Sequence, residues 1–209
     1  MKFLKPIVST TVFGIAMLAA CNLCAPAAWA TYSVTLTQQG SNVVATGSGT
    51  LNLAGLNLSF SESGVSFVTA NIGEISIGPT TLEPIDVYEG FTGPKNFGTG
   101  GILTASSGSG DAAGIGGFIG ELFVPHSYVS GTSLSDTATW DNQTFTTLGV
   151  TPGNYTWTWG SGASADSFMV DIKSTVPEPS SFVLLALALG ILALFRARSC
   201  RQNSFPGRD

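Results

Sequence analysis

The stretch NYTWTWGSGASADSFMVDI, residues 154–172, decides the fold class of this chain. The aromatic residues of its first half fall on one side of an extended backbone: Tyr155, Trp157 and Trp159. The apolar residues of its second half likewise share one side: Phe168, Val170 and Ile172. A period of two is the pattern of a β-strand with one buried face. The stretch therefore predicts two strands joined by the glycine-rich turn at 160–162.

Working outward, further alternating stretches occupy most of the middle of the chain: TYSVTLT (31–37), GTLNLAGLNLSF (49–60), EISIG (74–78), GELFVP (120–125) and TATW (137–140). In the second of these the phase slips at Ala54-Gly55, which predicts a bulge or tight turn there, with Leu56, Leu58 and Phe60 together beyond it. Breaks containing glycine, asparagine and proline separate the stretches. We find no amphipathic helix of normal length and no internal repeat. The prediction is an all-β domain over 31–175, an antiparallel β-sandwich or jelly-roll-like fold.

The charge of the middle segment restricts its partners. Residues 31–176 contain eleven acidic residues and only two lysines, Lys95 and Lys173, for a net charge of −9. Such a surface repels the phosphate backbone, so nucleic acid is not expected as a partner. The same charge favours solubility after secretion.

The sequence predicts no metal, no cofactor and no catalytic residue. The three cysteines, Cys21, Cys24 and Cys200, lie outside the middle segment, which therefore has no disulfide or thiolate metal site. A zinc site needs three or four ligands, and His126 is the single histidine. No Gly-x-Ser-x-Gly nucleophile motif is present. We therefore expect a protein that is not an enzyme.

The first thirty residues have the three parts of a secretion signal. Lys2 and Lys5 form the charged start, an apolar stretch follows, and Ala28-Trp29-Ala30 is an A-x-A cleavage site. The prediction is a signal peptide over 1–30, export by the Sec machinery and a mature chain that begins at Thr31. One alternative stays open: cleavage before Cys21, within Leu18-Ala19-Ala20-Cys21, would leave a lipid-modified cysteine as a membrane anchor.

The end of the chain combines prolines, an apolar run and arginines. Pro177, Glu178 and Pro179 precede a predicted transmembrane helix over 180–195, and Arg196, Arg198 and Arg201 follow it. The apolar run reaches the lower limit for spanning a bilayer. By the positive-inside rule the arginines are cytoplasmic and the middle domain is outside. Residues 202–209 form a short tail.

This order of features over 176–201 resembles the PEP-CTERM sorting signal of Gram-negative bacteria. The resemblance implies processing near Pro177-Glu178-Pro179 by an exosortase, after the helix has held the chain in the inner membrane. It further implies release of the domain to the cell surface or the extracellular polysaccharide matrix. The tail RQNSFPGRD departs from the family, which usually stops soon after its basic cluster, and this leaves open whether the helix is retained.

Much of 85–180 also resembles a recurrent extracellular module of PEP-CTERM proteins. The resemblance rests on three stretches: Thr151-Pro152-Gly153-Asn154-Tyr155-Thr156-Trp157-Thr158-Trp159-Gly160, the Ala-Asp-Ser-Phe ending at 165–168, and DVYEGFTGPKNFGTGG at 86–101. The resemblance implies a secreted β fold and supplies no activity.

The functional expectation is a structural or adhesive protein of the cell surface or of a biofilm's exopolysaccharide matrix. A first alternative is a carbohydrate-binding module in which Trp140, Tyr155, Trp157 and Trp159 stack on sugar rings. Alternation does not say which side of a strand is exposed, however, and a tryptophan stripe is more often core. A second alternative is a hydrolase of matrix polysaccharides, which would need two carboxylates on opposite walls of a cleft.

Overall fold

The computed structural model describes residues 31–173 and Leu189, and these residues form two β-sheets with very little helix. The predicted signal helix at 1–30, the sorting signal at 176–201 and the transmembrane helix at 180–195 lie outside the described residues. Among those described, no helix is long and apolar enough to cross a bilayer. The all-β prediction for the middle domain is confirmed.

The first sheet has six strands in the spatial order β12-β13-β1-β2-β11-β8. Their bounds are Thr31–Gln39 (β1), Asn42–Thr50 (β2), Ser107–Gly110 (β8), Ser133–Trp140 (β11), Gly153–Trp159 (β12) and Asp166–Ile172 (β13). The second sheet has seven strands in the order β3-β6-β10-β9-β5-β4-β7. Their bounds are Asn57–Gly64 (β3), Phe67–Thr69 (β4), Glu74–Ile77 (β5), Glu83–Glu89 (β6), Ile102–Thr104 (β7), Ala113–Gly116 (β9) and Glu121–Pro125 (β10).

Helical structure among the described residues amounts to single turns. The α-helical turn α1 covers Phe145–Leu148 and is capped by Thr144, whose side chain accepts a hydrogen bond from the Thr147 N–H. Three 3-10 turns cover Leu53–Gly55, Ala70–Ile72 and Gly162–Ser164. The first of these lies at the predicted slip in phase at Ala54-Gly55.

The two sheets share one hydrophobic core. Strand β1 contributes Tyr32, Val34 and Leu36, all fully buried, as its alternation requires. The second sheet contributes the apolar side chains of one face to the same cluster, chiefly Ile75, Ile77, Ile115, Leu122 and Val124. Successive residues of a strand point to opposite faces, so the period-two pattern places the apolar side chains of each strand on one face. The two apolar faces then pack against each other to form the core.

One strand pairing departs from the expected antiparallel arrangement. Strand β13 runs parallel to β1, with Tyr32 opposite Phe168 and Leu36 opposite Ile172. The jelly roll of eight strands in two antiparallel sheets is therefore not reproduced, since the sheets here have six and seven strands and contain this parallel pair. The pattern of a single strand carries no information about the direction of its neighbour.

Strand β3 also departs from its expected pattern. We expected Leu58 and Phe60 on one face, but the pairing with β6 shifts register between them, so that Leu58 lies opposite Tyr88 and Phe60 opposite Val87. A bulge at Ser59 explains the shift, because the extra residue moves the following side chains to the other face. Both Leu58 and Phe60 are exposed.

Candidate functional site

The predicted ligand-stacking aromatic residues lie mainly in the core. Trp140 and Trp157 have no exposed surface and Trp159 retains 5%. Tyr155 is partly buried, and its ring packs against Phe97. The structure therefore corrects the stacking hypothesis for Trp140 and Trp157, which have no exposed ring face, and Trp159 contributes only a small exposed part of its indole to the groove described below.

The buried tryptophans act instead as connectors to loops. Each indole N–H donates to a backbone carbonyl oxygen: Trp140 to Leu103 (3.0 Å), Trp157 to Pro94 (2.9 Å) and Trp159 to Asn52 (2.8 Å). A buried indole N–H requires such a partner. The aromatic strand β12 thus holds two distant loops against the first sheet, which alternation alone does not reveal.

A groove lies beside the end of β12. Its volume is about 760 Å³, within the roughly 300–1,000 Å³ of ligand clefts. Its lining consists of glycine backbone, hydroxyl side chains, one alanine, one indole and one carboxylate: Gly90, Thr92, Thr158, Trp159, Gly160, Ser161, Gly162, Ala165 and Asp166. No cation lines it, so it does not suit phosphate or another strong anion.

Two segments that are distant in sequence form this groove. Thr92 and Thr158 make a reciprocal backbone pair, with N–H···O distances of 3.0 and 2.8 Å. Gly160 and Gly162 both have positive φ, +67° and +57°, and turn the chain away from β12. The glycine-rich sequence predicted the turn. The approach of Thr92 has no sequence signal, because it depends on tertiary folding.

Asp166 fixes one wall of the groove and is itself nearly inaccessible, at 1% exposure. Its carboxylate accepts hydrogen bonds from the backbone N–H of Asn52 (2.5 Å) and of Ser167 (2.6 Å). Burial raises the pKa of Asp166 above its ordinary value, against the opposing effect of these donors. Both oxygens are engaged, so this carboxylate holds the segment in place.

The groove does not meet the geometric requirement of the hydrolase alternative. A glycosidase of the usual kind needs two carboxyl groups about 5–10 Å apart across the scissile bond. Asp166 is the one acidic residue in the lining of this groove. Among the residues that the structure describes, no group of three or more His, Cys, Asp or Glu residues is placed to hold a metal ion.

A carboxylate–histidine pair lies elsewhere, at the end of β10. His126 Nδ1 is 2.8 Å from Asp86 Oδ1, Ser61 Oγ donates to the same oxygen at 2.6 Å, and the Ser127 N–H donates to Oδ2 at 2.8 Å. Burial opposes ionisation of Asp86, but these hydrogen bonds and the imidazole charge lower its pKa overall. Ser61 contacts the carboxylate and no described nucleophile contacts the ring, so the arrangement orients His126 without completing a triad.

The core contains a second buried carboxylate. Tyr32 Oη donates to both oxygens of Asp136, at 2.6 and 2.5 Å, and both residues are buried. Burial raises the pKa of Asp136 to about 7, an effect that Tyr32 opposes and Asp111 reinforces. Burial and the adjacent carboxylate also raise the pKa of Tyr32. Sequence reasoning did not single out this pair.

The predicted sorting and cleavage residues lie mostly outside the described residues: Ala28, Ala30, Pro177, Glu178 and Pro179, as does Cys21. Thr31 is described and is the first residue of β1.

Comparison with known proteins identifies one segment of the chain. A family model described as the PEP-CTERM protein-sorting motif matches residues 175–201. No curated protein and no solved structure matches the chain. The motif agrees with the resemblance drawn from Pro177-Glu178-Pro179 and marks an exported protein processed by an exosortase.

Proposed function

We propose that this chain is a non-catalytic protein of the cell surface or the exopolysaccharide matrix, with a structural or adhesive role. The observation that carries the proposal is the sorting motif at 175–201, which follows directly on a β domain whose last strand ends at Ile172. A sorting signal specifies where a protein is exported, and the β domain is the part of this chain that would act at that location.

The domain bounds support the two proposed cleavages. Removal of a signal peptide after Ala30 leaves every described residue of strand β1 in the mature chain. Processing near Pro177–Pro179 likewise leaves β13 complete. The proposed route uses the Sec machinery, a transmembrane helix at 180–195 and an exosortase in a Gram-negative inner membrane.

The first experiment is the intact mass and both termini of the protein recovered from its native envelope and medium. We expect a species that begins at Thr31 and ends near Pro177–Pro179. A species that retains residues 182–209 would contradict the processing and indicate a single-pass membrane protein. A lipid on Cys21 would overturn the cleavage after Ala30.

A second candidate function is binding of a neutral polysaccharide in the groove beside β12. The observation that favours it is the lining by exposed hydroxyl groups of Thr92, Thr158 and Ser161 without a cation. Hydroxyls and backbone groups are the polar partners that neutral sugars require. Sugar binding in this groove would depend on hydroxyl and backbone groups, because the buried ring of Trp157 cannot stack on a sugar.

A matched pair of variants tests the groove. Thr158→Tyr should fill it and weaken retention on a neutral matrix polysaccharide in affinity electrophoresis at least tenfold. Thr156→Tyr is the control, because Thr156 is exposed on the same face of β12 but does not line the groove. Equal retention of both variants and the native chain would show that the groove is not the polysaccharide-binding site.

A further inference from the structure

The four edge strands of the two sheets differ in length and in how much of their outer backbone is already hydrogen-bonded. The edge of β12 is partly closed by the backbone pair of Thr92 and Thr158. Strands β8 and β7 end their sheets with only four and three residues. Strand β3 has eight residues and pairs only with β6. No other described backbone group bonds to β3, so its outer N–H and C=O groups remain available.

Strand β3 is also exposed on its side chains. Leu58 is 57% and Phe60 43% exposed, and the burial pattern of the strand is exposed from Asn57 to Ser63. A long exposed edge with apolar side chains is a template for pairing with another chain. Lysine and proline are two of the features that protect such an edge in natural sheets, and β3 contains neither.

Carboxylates surround this edge on one face of the sheet. Asn57, Glu89 and Glu121 lie directly opposite one another on β3, β6 and β10, so their side chains share a face. Glu62 lies opposite Ile85 on the same face, because Ile85 and Glu89 are an even number of residues apart on β6. Mutual repulsion with Glu62 and Glu89 adds to burial in raising the pKa of Glu121.

No described cation balances these carboxylates. Lys95 Nζ donates to the Gly117 carbonyl oxygen at 2.8 Å, and Lys173 pairs with Asp171. The described part of the chain thus presents open backbone groups and the Phe60 ring on β3, with uncompensated carboxylates on the same face of β3, β6 and β10.

We propose that β3 is a docking edge for an extended polypeptide segment in which basic residues alternate with apolar or small ones. The segment adds to the seven-stranded sheet by main-chain hydrogen bonds to β3. Its basic side chains lie on the face of Glu62 and Glu89, where their aliphatic stems also cover the Phe60 ring. Its apolar or small side chains lie on the opposite face, beside Leu58. This goes beyond the proposed function, since it names the chemistry of a partner at the surface.

Charge favours this partner over a second copy of the chain. Pairing β3 with β3 of another copy would bring together two edges that each carry uncompensated carboxylates, which is less favourable than pairing with a segment of opposite charge. The bulge at Ser59 and the charge of Glu62 are also features that discourage self-pairing. A basic segment meets the opposite charge, and residues 60–64 remain in regular register beyond the bulge.

The test uses hydrogen exchange with mass spectrometry on the full chain in a neutral detergent, with a nine-residue peptide of alternating lysine and threonine as the probe. We expect slower exchange confined to 57–64, and at least tenfold weaker binding in 0.5 M salt. Glu62→Lys should weaken binding at least tenfold. Asp141→Lys, at an exposed turn of the other sheet, should change it less than twofold.

Three outcomes would overturn the proposal. The peptide could protect acidic regions generally, with Glu62→Lys and Asp141→Lys equivalent. Protection of 57–64 could occur without peptide and increase with protein concentration, which would assign the edge to a second copy. A glucosamine oligomer could protect 57–64 as well as the peptide, which would assign it to a cationic polysaccharide. Ser61→Pro, which removes a backbone donor from β3, should abolish protection where circular dichroism shows the fold retained.

Discussion

At the scale of the residue, Gly47 shows how the core accommodates a polar pair. It lies on β2 opposite Val34 and Asp136, and a β-carbon at this position would overlap both Asp136 Oδ1 and the hydroxyl of Tyr32. The absence of a side chain at Gly47 therefore provides the space for the hydrogen bonds between Tyr32 and Asp136. No composition or period marks Gly47 among the 26 glycines of the chain.

We predict that Gly47→Ala destabilises the domain by about 3 kcal/mol or more, because it forces apart a buried hydrogen-bonded pair. Urea unfolding followed by tryptophan fluorescence measures the change. Gly101→Ala is the matched control, since a β-carbon there meets nothing within 4 Å, and it should cost less than about 0.5 kcal/mol. A cost below about 1 kcal/mol for Gly47→Ala would contradict the geometry.

At the scale of the element, β13 joins the two ends of the described chain in one sheet. It pairs antiparallel with β12 and parallel with β1, so it is buried between two neighbours. Its alternate residues Phe168, Val170 and Ile172 enter the core. Loss of this strand would expose the backbone edge of β1 together with one side of the core.

We predict that a chain of residues 31–175 unfolds cooperatively on heating, whereas a chain of residues 31–165 does not. The shorter chain lacks the whole of β13, and with it two ladders of backbone hydrogen bonds. Circular dichroism during heating distinguishes them. Comparable transition temperatures, within about 5 °C, would show that β13 is dispensable and that processing upstream of Lys173 would be tolerated.

At the scale of the whole molecule, the domain combines a net charge of −9 with buried and half-buried carboxylates whose pKa values are shifted in opposite directions. Burial raises the pKa of Asp136 to about 7, and burial with Glu121 and Glu62 does the same for Glu74. Hydrogen bonds lower the pKa of Asp86 despite its burial. A raised pKa in the fold favours the protonated state, so its stabilising contribution is complete in acid and is lost as pH rises through the folded value.

We predict that the domain is more stable at pH 5 than at pH 8, by about 2–3 kcal/mol from Asp136 alone. The proton that Asp136 retains in the fold is lost as pH rises toward and past 7. Urea midpoints at the two pH values measure the difference, which Asp136→Asn should reduce strongly and Asp141→Asn should leave unchanged. The same pH dependence in the native domain and in Asp136→Asn would disprove the role of this carboxylate.

The sequence by itself determined the class of fold and the presence of a sorting signal. Period-two alternation predicted the strands at 154–172 and the shared face of Phe168, Val170 and Ile172, because a pleated strand turns successive side chains to opposite sides. The order of Pro177-Glu178-Pro179, apolar run and arginines predicted the sorting motif at 175–201. Both signals are local, so neither depends on where the rest of the chain lies.

Only the tertiary structure decided which strands are neighbours and which faces are covered. The parallel pair of β1 and β13, the bulge that separates Leu58 from Phe60, and the approach of Thr92 to Thr158 all join segments that the sequence pattern treats independently. The burial of Trp157 has the same origin. Alternation gives each strand two faces, and the packing of the two sheets against each other determines which face is buried.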